Sequence, residues 1–158
     1  MKLRMIISLL CLGFVFSKSS YASDADQFIG TWLLVHIQSR NKSGDWVVPD
    51  SAAGSNGYLT YSSDGYMSFQ SARLGGPDFT NKGFLDFTIE ELRAVLLNYG
   101  AYFGTYEIDE HARTMTHNVV GNINQSRAGT SSSRTYAFDE PQLTLTIGES
   151  LRYVWKRP

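Results

Sequence analysis

Gly57-Tyr58-Leu59-Thr60-Tyr61-Ser62-Ser63-Asp64-Gly65-Tyr66-Met67-Ser68-Phe69 is the stretch that decides the architecture. Two short segments of period-two alternation flank Ser63-Asp64-Gly65. Gly65 can take the positive φ that a tight hairpin needs. Period two places alternate side chains on opposite faces of a strand. The stretch therefore reads as an antiparallel hairpin with one face available for a core.

Working outward, the same pattern recurs. Thr31 to Ser39 alternates, with Trp32, Leu34 and His36 on one side and Leu33, Val35 and Ile37 on the other. Tyr102 to Ile108 faces Thr114 to Val120 across Asp109-Glu110-His111-Ala112. Ser133 to Phe138 faces Gln142 to Ile147 across Asp139-Glu140-Pro141. Leu151 to Lys156 forms a last strand, and Trp46 to Val48 a short extra one. Short strands at regular spacing indicate an all-β fold. About eight antiparallel strands suffice to close an up-and-down barrel with room for one small ligand.

One mid-chain helix interrupts the strands, over about 89–99. Thr88-Ile89-Glu90-Glu91 has the form of a capping box. Leu92, Val95, Leu96 and Tyr99 then fall on one stripe at helical spacing. Gly100 suits the left-handed position after a last turn. The stripe calls for burial, most simply against the barrel as a lid or plug. The preceding loop, Arg73 to Phe87, is long enough to suggest a functional or mobile segment.

The first 22 residues read as a cleavable export signal. Lys2 and Arg4 precede an apolar run from Met5 to Phe16, and Ser20-x-Ala22 has the small-x-small form of a signal-peptidase site. The run is too short for a membrane span, which needs about 18 to 20 apolar residues. Cys11, the sole cysteine, lies within this segment. Leu10 before it does not fit lipid attachment, so no stable membrane anchor is expected. Residues 23–158 are then one domain without a disulfide. Losing residues 1–22 removes three positive charges and no acid, so the net charge moves from −1 to −4. That balance argues against a nucleic-acid partner. The expected location is the periplasm or the exterior.

Several stretches carry a family resemblance: Gly30-Thr31-Trp32-Leu33-Leu34-Val35, Gly57 to Tyr61 through Asp64-Gly65-Tyr66-Met67-Ser68, Ala101 to Tyr106, Thr116-His117, Arg134-Thr135-Tyr136, Leu143 to Thr146, and Val154-Trp155. In this order they resemble the bacterial lipocalin-like domain family across residues 30–157. The resemblance implies a calycin-type barrel with the Trp32 indole plugging one end. It also implies an arginine of the last strand packed over that indole, Arg152 as first choice and Arg157 as second. The chain lacks the Thr-Asp-Tyr motif and the cysteine pair of the larger secreted lipocalins.

Tyrosine, with nine in the full sequence, suits a cavity wall because it joins an apolar ring to a hydroxyl. Tyr58, Tyr66, Tyr102, Tyr106 and Tyr136 lie on expected strands and are candidate ligand contacts. The competing reading makes each an ordinary strand residue. His117, if it shares the inward face, is the best acid–base candidate, set against a histidine satisfied by neighbours. Arg134 shares a face with Tyr136 and Phe138. If that face is inward, the guanidinium needs a partner: Glu107, or the acid group of a ligand. His36, His111 and His117 lack metal-ligand spacing. No nucleophile or cofactor motif stands out, so no cofactor is expected.

Three functions remain open. The first is an exported binder of a small apolar or amphipathic molecule. The second is a cofactor-independent isomerase, cyclase or lyase, which requires His117, a tyrosine and Arg134 to converge. The third is an inhibitor-like interaction module with a filled barrel.

Overall fold

A computed structural model describes residues 23–74 and 83–158. The expected export signal, and residues 75–82 of the long loop, lie outside the described residues.

The hairpin at Gly65 forms as expected. β3 (Ser55–Tyr61) pairs antiparallel with β4 (Tyr66–Arg73), and Gly65 has φ +87°. β5 (Tyr99–Asp109), β6 (Thr114–Asn122), β7 (Ser131–Asp139), β8 (Gln142–Ile147) and β9 (Leu151–Lys156) follow as an antiparallel meander. β1 (Gly30–Arg40) pairs with both β3 and β9, which closes eight strands into a barrel. β2 (Trp46–Val47) is an extra strand on β1.

Two bulges change which residues face inward. Between Leu34 and His36 the β1–β9 register slips by one residue. An extra residue reverses the alternation beyond it. Ile37, paired with Tyr153, therefore joins the core in place of His36. On β6 the slip lies beside Gly104 and skips Val120, 64% exposed, so that the next inward residue after Val119 is Asn122 and not Gly121. Gly104 is obligatory there, since a Cβ would sit 1.9 Å from the Asn118 carbonyl oxygen.

One end of the barrel is packed solid. A five-residue helix, α1 (Asp24–Phe28), starts at a capping box made by Ser23 and Asp26. It inserts Phe28, fully buried, against Tyr61, Tyr136 and Phe138, with ring centroids 5.5, 4.9 and 4.8 Å away. The Trp32 indole Nε1–H donates to the Phe28 carbonyl at 2.8 Å. The arginine over the indole is Arg157, 3.8 Å from the ring centre, and not Arg152. Strand pairing explains the correction. Trp32 lies at the start of β1, and the antiparallel register brings the end of β9 beside it. Arg152 pairs with Gln38 near the other end and stacks on Trp46 at 4.5 Å.

The second helix, α2 (Ile89–Asn98), has the expected Thr88–Glu91 capping box. It runs straight into β5, so Gly100 is a strand residue opposite Ser71 and not a left-handed cap. Ladder pairing with β4 overrides the local preference. The expected burial of the stripe is only partial. Leu92 and Val95 are half-buried, while Leu96 is 55% exposed.

Candidate ligand-binding cavity

The inward residues of β6 are Met115, His117 and Val119, all buried. His117 pairs across the sheet with Tyr106 on one side and Ser132 on the other, at mid-depth. Below it the barrel is filled by the aromatic cluster around Phe28. Above it the barrel is hollow.

Both imidazole nitrogens are engaged. Nε2 lies 2.7 Å from Tyr61 Oη, and Nδ1 lies 2.9 Å from Tyr102 Oη. Arg134, from β7, donates through Nη2 to Tyr102 Oη at 3.1 Å and through Nη1 to the Ser132 carbonyl at 3.1 Å. Tyr61 Oη is 2.9 Å from Met115 Sδ. One placement of protons satisfies every contact. Arg134 donates to Tyr102, Tyr102 to His117 Nδ1, His117 Nε2–H to Tyr61, and Tyr61 to the thioether, which can only accept.

Burial sets the protonation states in this network. It lowers the His117 pKa to about 2, and the Arg134 charge pushes the same way. Burial also raises the Tyr102 hydroxyl to about 12, against the opposing pull of Arg134. The imidazole is thus neutral at neutral pH.

The hollow half is a cavity of about 540 Å³. This is within the size range of small-molecule sites, about 300 to 1,000 Å³. Phe69, Leu145, Tyr153 and Trp155 supply apolar walls, and Tyr102, His117 and Arg134 the polar floor. Asn122, Arg127 and Thr130 line it where β6 ends and β7 begins. No α2 residue lines it. Trp155 Nε1 is a buried donor with no hydrogen-bond partner among the described residues.

Of the seven candidate contacts, the fold gathers Tyr102, His117 and Arg134 at this cavity. Tyr106 points inward but lies in the packed half, where its hydroxyl donates to the Ser62 carbonyl at 2.8 Å. Tyr136 is at the plugged end, hydrogen-bonded to Asp24 at 2.7 Å. Tyr58 and Tyr66 face outward, 57% and 60% exposed. Their expected place on the cavity wall is corrected by the hairpin register. Leu59 pairs with Phe69 and Tyr61 with Met67, one apolar face, whereas Tyr58 pairs with Gln70. Those cross-strand partners were a usable signal. Glu107 is also outward, bonded to Asn118, so it is not the counter-ion of Arg134. Sequence reasoning missed Tyr153 and Trp155, although both follow the alternation of the last strand.

Three comparisons with known proteins bear on this barrel. A family model described as "lipocalin-like domain" matches residues 29–157. No curated protein matches the chain. Similar solved structures include a DUF4847 family protein from Bacteroides vulgatus ATCC 8482, with 16% identity and a TM-score of 0.45, covering 83% of this chain and 94% of that one. A redesigned β-barrel has 13% identity and a TM-score of 0.40, covering 89% of this chain and 99% of its own.

Proposed function

The chain belongs to the lipocalin-like domain family, and on that premise we propose that it is an exported protein that holds a small apolar or amphipathic molecule in its barrel. The single observation that carries this reading is the half-hollow interior. One end is sealed by Phe28 and Trp32, while the other keeps about 540 Å³ between aromatic and aliphatic walls. A barrel whose role was only to present a surface gains stability by filling that space, since each unfilled methyl-sized void costs about 1 kcal/mol. The polar floor gives such a ligand one fixed end and the walls give it a slot.

The convergence of His117, Tyr102 and Arg134 also suits an isomerase, cyclase or lyase. Binding is the better reading. Both nitrogens of His117 are held by protein hydroxyls, and its pKa of about 2 makes it a weak base near neutrality.

Native mass spectrometry of the protein recovered from its own host tests both halves of the proposal. The expected spectrum shows a chain beginning at Ser23 with a bound small molecule released on activation. Purified Ile147→Trp, which fills the cavity wall, is expected to lose that adduct while keeping its β-sheet circular dichroism. A bare chain that also fails to enhance the fluorescence of N-phenyl-1-naphthylamine refutes the binder reading.

A further inference from the structure

Among the described residues, the charged side chains that line the cavity are both cations, Arg134 and Arg127, and no aspartate or glutamate lines it. Arg134 is 8% exposed and has no carboxylate partner among the described residues. A buried guanidinium is strongly disfavoured unless an anion or a full set of acceptors meets it. Here one backbone carbonyl and one phenol oxygen take two of its N–H groups. The remaining donors have no protein acceptor among the described residues.

Its neighbours do not change the sign of the site. His117 and Tyr61 lie behind Tyr102, all three are neutral, and Tyr153 on the facing strand is a phenol held protonated by burial. The cavity floor is thus left with guanidinium donors that no acceptor among the described residues meets. A ligand that completes it brings oxygen acceptors and negative charge.

Resting on the binder reading above, we infer that the ligand is an anionic amphiphile. Its carboxylate or sulfonate head sits on the free N–H groups of Arg134 at the cavity floor, and its apolar tail runs toward the mouth. Arginine is suited to this, because its planar donors match two oxygens of one acid group. Residues 134 back to 131 on β7 rise about 3.3 Å each. The tail therefore has about 10 Å of strand to lie along before it reaches Thr130 and Arg127.

The test compares two probes with one aromatic skeleton. 1-Anilinonaphthalene-8-sulfonate carries the anion, and N-phenyl-1-naphthylamine lacks it. Wild-type protein is expected to bind the sulfonate at least tenfold more tightly. Arg134→Met is expected to bring the two affinities within threefold of each other, and Arg134→Lys to restore part of the gap. Decanoate is likewise expected to displace N-phenyl-1-naphthylamine from wild type at concentrations at least tenfold lower than decanol. This arm needs no variant and holds even if Arg134→Met fails to fold. Equal affinity for the charged and uncharged members of both pairs overturns the inference and leaves the binder reading standing. Failure of both naphthyl probes to bind removes the binder reading, and this inference with it.

Discussion

His117 makes stability depend on pH in a way that the network itself predicts. Its side chain is fully buried, between Tyr61 of β3, Tyr102 of β5 and Met115 of its own strand, with Arg134 of β7 beyond Tyr102. Its pKa falls from the ordinary 6.5 to about 2 in the folded chain. Below pH 6.5 the unfolded chain takes up a proton that the folded chain refuses. The stabilisation is therefore complete above pH 6.5 and is lost progressively as pH falls toward 2. One pH unit corresponds to about 1.4 kcal/mol. From pH 7 to pH 5 the loss from this one residue is about 2 kcal/mol, provided the folded pKa is below about 4. Urea unfolding followed by tryptophan fluorescence at pH 7, 6 and 5 measures the total change. His117→Gln isolates the imidazole, since an amide can still donate to Tyr61 and accept from Tyr102 without titrating. The variant is expected to be less stable than wild type at pH 7, and the gap to narrow by about 2 kcal/mol at pH 5. A gap that is the same at both pH values would refute the argument, because it would mean the imidazole charges freely inside the fold.

Two further predictions concern the barrel itself. Trp32→Ala removes a buried indole, its bond to the Phe28 carbonyl and its contact with Arg157, and should cost about 3 to 5 kcal/mol in urea unfolding. A loss below about 1 kcal/mol would show that the indole is not a plug. Gly104→Ala drives a methyl into the Asn118 carbonyl and should cost at least about 2 kcal/mol with loss of the β6 bulge. Hydrogen exchange at Val119 and Val120 reports on that bulge, and unchanged protection there would contradict the steric account.

Strand existence was legible because each hairpin marks its own turn and its own period. Gly65 and the alternation around it needed no knowledge of the rest of the chain. The capping box of α2 was equally local. The site was legible in part. Met115, His117 and Val119 share a period-two face, so their common side was visible in the sequence, and the register, with no bulge between them, makes that side the inward one. Tyr58 and Tyr66 were misplaced because aromatic rings occur on both faces of that hairpin, and only the pairing of Leu59 with Phe69 separates them. Ser23-x-x-Asp26 foreshadows the cap of α1, but nothing local says that Phe28 turns into the barrel.

The repeating turn residues and alternation of the Gly57–Phe69 stretch and its successors were enough to determine an antiparallel up-and-down barrel. Strand patterns are short-range, and they report on the chain's own backbone. Tertiary structure alone decided which arginine covers Trp32, which end is sealed, and that Arg134 lies in a cavity with no carboxylate beside it among the described residues. These depend on register across the β1–β9 closure and on bulges that flip side chains by one residue. The β1–β9 pairs join residues more than a hundred positions apart, and no local pattern encodes them.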